Sequence, residues 1–531
     1  IFIIYILMGI PSYFSHIIKN HRNIIQNVNS VSSIQNLYLD SNSIIYDCVY
    51  KLHNLYEDDK QFEEILLKEV EKTLYGHLEK LKPRRVFIAF DGVAPIAKLQ
   101  QQRERRYKSQ FFNELYESAN IKNNSNWNTV AITPGTQFME KLHLFFQGIE
   151  NRIQNKFLCV KEVKFSSWKE AGEGEHKIFE FIRNINHQNE VTLVYGLDAD
   201  LIMLSICHLQ YCNKLYLYRE TPEFIKSIDS SLKPNESYIL HISYLGDQIE
   251  KLLNSNDNKK ITNKYDILQD YTFLCFLLGN DFMPHFPSLN IRTNGIYHLM
   301  ECYNQHMTRT IIQNNKISWQ MFREFIGILM KYEELWIIEE YDSLIKKENR
   351  FLKSSNDDEL KNKIMNIPCN NRSIEHFINP HEYGWEARYY DKCFHIEREE
   401  KRMKQICHNF LEAIEWTYSY YTNGCKCWEW KYNYNYAPLL SDIYKYIPYF
   451  DTEFINNGSK IPLLPHIQLA YVLPYDSLNF VQHPKIESLR SYLESIHSSY
   501  TIEWTFCKYL WESHVHMPDI NITTLQSIMR D

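Results

Sequence analysis

The sequence is short of glycine and proline, with 15 and 17 in 531 residues. That scarcity excludes collagen-like and low-complexity chains. It has no excess of positive charge either. Lys and Arg number 58 against 65 Asp and Glu, a formal charge of -7, so a basic coat for nonspecific nucleic-acid binding is excluded. A local basic pocket remains open. The twelve cysteines form no C-x-x-C pair, and neither Cys425-x-Cys427 nor Cys207-x4-Cys212 has a second pair at zinc-ribbon spacing. Free, mostly buried thiols in a reducing compartment are expected. Long apolar runs are missing too. The opening IFIIYIL is too short to span a bilayer and lacks the basic flank and cleavage site of a signal peptide. Met8 reads as the true start, with residues 1–7 as upstream translation. The expectation is an intracellular protein without a membrane partner.

What is present is ordinary globular composition, 44% hydrophobic and 23% charged, with enough length for two to four domains. Ile, Asn, Lys and Tyr are abundant, which reflects an AT-rich genome rather than a function. Three short apolar runs end in carboxylates: Asn36 to Asp40, Arg85 to Asp91, and Val191 to Leu197 followed by Asp198 and Asp200. Helical periodicity separates them, as over Gln61 to Leu81, so an α/β core with a parallel sheet covered on both faces is predicted. Gln269 to Leu278 reads as a buried helix capped by Gly279, with Asp281 just beyond it. Residues 345–375 are polar and weakly periodic and read as a connection. Beyond about 376 the chain turns aromatic, through Trp428 and Trp430.

In open parallel sheets, ligands bind outside the carboxyl ends of the strands. Asp40, Asp91, Asp198 and Asp200 are therefore candidates to converge, joined by Glu173 and Glu175 of Gly172-Glu173-Gly174-Glu175 and by Asp281. Any one of these could be a helix cap or turn residue. Capping does not require seven. Carboxylates brought together repel and need cations, and hard oxygen donors suit Mg²⁺ or Mn²⁺. Two such ions could activate water and stabilise the leaving oxygen of a phosphodiester. After Asp91, Lys98, Gln102, Arg105 and Arg106 share one face of a predicted helix, where they could hold a terminal phosphate. The alternative is a solvated surface helix.

These segments resemble the XRN-type 5′→3′ exoribonucleases. The resemblance rests on Met8-Gly9-Ile10-Pro11, Leu37 to Asn42, Ala89 to Pro95, Gly172 to Lys177, Tyr195 to Leu201, Leu278 to His285, and Trp428 to Asp442. It implies a metal-dependent nuclease core of the PIN/FEN-like kind over 8–344, a connecting segment over 345–375, and a mostly helical second region over 376–531 that narrows access to the site. It implies that Asp40, Asp91, Glu173, Glu175, Asp198, Asp200 and Asp281 bind two Mg²⁺ or Mn²⁺ ions. Lys98, Gln102, Arg105 and Arg106 would then bind the 5′ phosphate, and Tyr46 with Trp428 or Trp430 would sandwich the first base. The implied activity is processive release of nucleoside 5′-monophosphates from single-stranded, 5′-monophosphorylated RNA, as in mRNA decay. Tyr46 stands where the family usually has His, Ser43 where it has Gly, and Ile96 where it has Arg. The compact form suggests a large DNA virus or protist source, and location in the cytoplasm (the host's, if viral) rather than the nucleus. A flap-type endonuclease or an inactive scaffold that captures RNA ends are the competing readings.

Overall fold

The computed structural model describes residues 12–31, 33–119, 127–185, 187–220, 232–233, 236–255, 263–353, 360–455, 458–497 and 499–530. The Met8 to Pro11 segment and residues 354–359 of the expected connection lie outside these. Eleven strands occur among the described residues. They are β1 (Ile25–Asn27), β2 (Asn36–Asp40), β3 (Arg85–Ala89), β4 (Glu162–Ser166), β5 (Thr192–Tyr195), β6 (Leu215–Glu220), β7 (Ser237–His241), β8 (Ile312–Gln313), β9 (Lys316–Ile317), β10 (Thr501–Glu503) and β11 (His514–His516).

The first seven make one sheet in the order β1-β7-β6-β5-β2-β3-β4. Its centre, β6-β5-β2-β3-β4, is parallel. The edge differs from the sequence expectation, because β7 and β1 run antiparallel. From β2 the chain proceeds outward to β3 and β4, then returns to β5 and β6 on the other side. The reversal lies between β2 and β5, and this is where open α/β sheets present ligand crevices. Register sharpens the point. Asp40 lies opposite Ala89, and Leu39 opposite Tyr195, so the three strands finish level.

Alternation along the central strands divides the core. Leu37, Leu39, Val86, Ile88, Leu193 and Tyr195 face one hydrophobic cluster with the helices Asn42–Leu52 and Asp59–Leu81. Tyr38, Phe87 and Val194 face another. Each strand is apolar on successive residues because both faces are covered. The second cluster extends without a break into the C-terminal half, through Phe410, Ile414 and Trp416 of the helix Glu400–Thr422. A third cluster packs Val93, Ile96 and Leu99 against Leu469, Tyr471 and Leu489.

The described residues of 345–375 are largely helical. The helix Glu333–Lys353 runs through the expected boundary at 344, and Leu360–Met365, Ile367–Asn370 and Ser373–Ile378 follow. Short amphipathic turns packed on larger elements leave too few apolar positions to show a period. Among the described residues, no helix is long and apolar enough to cross a membrane.

Candidate active site

Asp40 is the last residue of β2, and Asp91 follows β3 by two residues. Asn42, the first residue of the next helix, holds Asp91 from both sides. Its Nδ2 donates to Asp91 Oδ2 at 2.7 Å, and its Oδ1 accepts from the Asp91 amide at 3.1 Å. Gly174 donates its amide to Asp91 Oδ1 at 2.7 Å. A Cβ at 174 would meet Asp40 Oδ1 at 2.6 Å, so only glycine allows the acidic loop to lie across the two strand ends. Reciprocal backbone bonds between Gly92 and Gly172 and between Gly172 and Val93, 2.8 and 2.7 Å, fasten that loop to the segment after β3. Lys177, buried, donates to the carbonyls of Phe90 and Ser167 at 2.8 and 2.9 Å and ties the same pieces from below.

The structure brings the predicted acids together. Asp40, Glu175 and Asp198 each offer an oxygen within 4.8 Å of the others. Lys98 donates to Glu173 at 2.9 Å and to Asp281 at 2.8 Å, linking the acidic loop to the segment after the helix Lys264–Phe276. Burial raises the carboxyl pKa of Asp40, Glu175 and Asp200 well above the usual range, and their acidic neighbours add to it. Burial raises Asp91 as well and takes Asp198 to about 6. Burial alone would lower Lys98, but Asp281, Glu173 and Glu175 outweigh it and hold its ammonium charged. Lys177 acts on Asp91, and Arg105 and Arg219 act on Asp198, but seven carboxylates still outnumber these cations and Lys98. Two buried oxygens, Glu175 Oε2 and Asp200 Oδ1, have no hydrogen-bond partner. Orphaned oxygens in a crowded all-carboxylate site fit hard divalent cations.

Sequence reading missed the contribution of the C-terminal half. From the helix Glu400–Thr422, the Tyr420 hydroxyl donates to Glu173 Oε2 at 2.7 Å, and Tyr421 faces Asp200. Behind Tyr420 runs a column of rings. His176 lies 3.7 Å from it on one side and Trp416 4.7 Å on the other, with Trp430 5.3 Å beyond Trp416. Trp430 also donates to Glu412 at 3.2 Å. Of the two candidate tryptophans, Trp430 is therefore occupied inside this column. Trp428 is half-buried and stacks on no ring among the described residues. Its carbonyl accepts from Ile96, the first residue of the basic helix, and its amide donates to Ser459. Tyr46 is half-buried against the cluster under the Asn42–Leu52 helix.

The basic helix is confirmed over Ile96–Ser118. Lys98 points into the acids, whereas Gln102, Arg105 and Arg106 lie a turn or two further along, Arg106 donating to Thr133 Oγ1 at 2.7 Å. A cavity of about 300 Å³ beside this helix is lined by Gln101, Arg105, Lys108, Asp281, Lys431 and Trp511 among others; of the four predicted phosphate ligands, Arg105 lines it and Lys98, Gln102 and Arg106 do not.

Comparison with known proteins agrees with this geometry. Residues 8–221 match the model of the XRN 5′-3′ exonuclease N-terminus, and residues 262–379 and 369–530 match that of the Xrn1 helical domain. The 5′-3′ exoribonuclease 1 of Homo sapiens is 28% identical over 98% of this chain, and that of Saccharomyces cerevisiae 26% over 89%. The 5′-3′ exoribonuclease 2 of Arabidopsis thaliana is 25% identical over 88%. The alignments cover 34%, 40% and 61% of those relatives' own lengths. With an N-terminal PIN-like nuclease domain and a helical domain matched in order, the chain belongs to the XRN family.

Proposed function

We propose that the protein is a divalent-metal-dependent 5′→3′ exoribonuclease acting on single-stranded RNA that carries a 5′ monophosphate. The observation that carries this reading is the convergence of all seven acids at the sheet's carboxyl edge, with a basic helix beginning at the same edge. Asp40, Asp91, Glu173, Glu175, Asp198, Asp200 and Asp281 would hold the cations, Mg²⁺ or Mn²⁺ and two in number. When bound, these supply Lewis acidity for phosphodiester hydrolysis. The chain's own residues do the rest. Asn42, Gly174 and Lys177 fix the acids in place, so little reorganisation is needed at the moment of reaction. Gln102, Arg105 and Arg106 offer charge-assisted hydrogen bonds to a terminal phosphate, and Lys98 joins that face to the acids. A monophosphate bears more charge than an internal diester, which favours engagement at an end. Tyr46 and Trp428 supply rings for the first base, and Trp430 supports Trp428's segment through the column. The C-terminal half would narrow access to single strands, and intracellular decay of RNA is the role in which such an activity operates.

The test is digestion of one RNA bearing a 5′ monophosphate, triphosphate or hydroxyl, with Mg²⁺ or with chelator. Mononucleotides from the monophosphate substrate alone, and only with metal, are expected. Internal fragments from all three would replace this reading with the endonuclease. Binding without product would replace it with the scaffold.

A further inference from the structure

Far from the seven acids in sequence, a second group of metal-type donors gathers on the surface of the C-terminal half. The ribbon β10–β11 pairs Thr501 with His516 and Glu503 with His514. Residues two apart on a strand share a face, so Glu503 and His516 sit diagonally on one side of the ribbon. His395 arrives on that side from the end of the helix Trp385–Phe394. Its Nε2 lies 3.1 Å from Glu503 Oε1, and its ring centroid 5.6 Å from that of His516. One donor atom from each of the three lies within 4.8 Å of the others. His395 and His516 are exposed and Glu503 is half-buried, so solvent reaches the group.

Two features exceed what a surface ion pair needs. Such a pair requires one histidine, and an exposed pair contributes little to stability. Here a second imidazole, that of His516, brings a ring nitrogen within 4.8 Å of the same carboxylate. His395 also adopts a left-handed backbone, φ 54°, which a non-glycine residue takes at an energetic cost. That conformation ends the helix and turns the imidazole toward the ribbon. The ribbon needs support, because a two-stranded pair of three-residue strands is marginal alone.

We propose that His395, Glu503 and His516 form a second metal site, selective for a borderline divalent cation such as zinc, with water completing a tetrahedron. Two imidazoles and one carboxylate suit zinc and not magnesium, which prefers oxygen donors and several waters. Donor atoms around a tetrahedral zinc are about 3.4 Å apart, given bonds of about 2.0–2.2 Å, so donors that lie within 4.8 Å of one another have at most about 1.4 Å to close. The ion staples the Trp385–Phe394 helix to the ribbon. The connection between the two strands carries Thr505, Phe506, Trp511 and Glu512, all lining the cavity beside Asp281. Metal at the ribbon thereby stiffens one wall of that cavity. The site is independent of the nuclease reading and stands or falls without it.

The experiment is titration of the chelator-stripped full chain with Co²⁺ in excess Mg²⁺, followed by zinc. One equivalent giving the intense visible bands of tetrahedral cobalt, displaced by zinc, is expected. Affinity should fall by about tenfold or more in His395→Gly and in His516→Ala, since even indirect ligand support is worth about 10–100-fold. His395→Gly relieves the left-handed backbone, so its metal-free melting temperature should equal or exceed that of the parent. Zinc should raise the parent's melting temperature and leave that of His395→Gly unchanged. Absence of the tetrahedral bands, or equal binding by the parent and both variants, overturns the site. Digestion of RNA by both variants in Mg²⁺ should match the parent, which keeps this result separate from the nuclease test.

Discussion

The two halves of the molecule build one site by different means. The sheet half delivers carboxylates through topology: level strand ends, a reversal of strand order, and a glycine loop laid across them. The helical half delivers two tyrosines through packing, from one helix whose hydroxyl-bearing residues lie buried beside Glu173 and Asp200. The first half concentrates negative charge, and the second decides where some of that charge points. A site of this kind belongs to neither half alone, and the continuous hydrophobic cluster running between them is the physical form of that dependence.

The comparison can be broken most severely on the sheet side. Asp198→Ala with Asp200→Ala should lower RNA hydrolysis by about 10³-fold or more while the circular dichroism spectrum stays native. Retained activity would sink the metal assignment. Gly174→Ala should come next, because its Cβ would press on Asp40 Oδ1 from 2.6 Å and displace both acids. Its effect should fall on kcat, in single-turnover kinetics, with RNA binding little changed. On the helical side, Tyr420→Phe removes one hydroxyl from Glu173. A hydrogen bond to a charged group contributes about 1.5–3 kcal/mol, so a loss of turnover of about 10- to 100-fold is expected, with a small fall in melting temperature.

The tryptophans separate the roles of ring and column. Trp428→Ala should weaken RNA binding by about 1–3 kcal/mol at an unchanged melting temperature. Trp430→Ala should instead lower the melting temperature, since Trp416 loses its stacked neighbour. The same loss from both variants, in the same measurement, would contradict the division.

The smallest effect expected is on pH. A carboxyl whose folded pKa is raised favours folding when protonated, and that contribution is lost as pH rises through the folded value. For Asp198 the window runs from its ordinary value near 4 to about 6. In chelator-stripped protein, Asp198→Asn should therefore gain stability relative to the parent as pH is raised from 5 to 7.5. Mg²⁺ should shrink that difference, because the cation does for the parent what the amide does for the variant.

Much of the sheet half was legible because its signals are local. Asp40, Asp91 and Asp198 each close an apolar run, and Glu173 and Glu175 sit in a glycine loop a few residues long. Even Asp281 is announced by the glycine before it. Asn42 lies inside a segment whose acid was recognised, yet nothing local says that its amide clasps an aspartate 49 residues away. Lys98 was placed with the phosphate-binding face, and its bonds to Glu173 and Asp281 depend on where the basic helix begins against the sheet. Tyr420 and Tyr421 were unreadable for a plainer reason. They are two aromatics among many in a helix, and their partners lie more than 200 residues earlier. The antiparallel edge, β1 with β7, was likewise hidden, because pairing across such a separation leaves no periodic mark in either strand.

Metal binding by the seven acids underlies everything proposed for this site. Anomalous diffraction from crystals soaked in Mn²⁺ tests it directly. Two peaks are expected, about 3.5–4 Å apart, enclosed by Asp40, Asp91, Glu173, Glu175, Asp198, Asp200 and Asp281. A fully soaked crystal with no peak among these residues would contradict it.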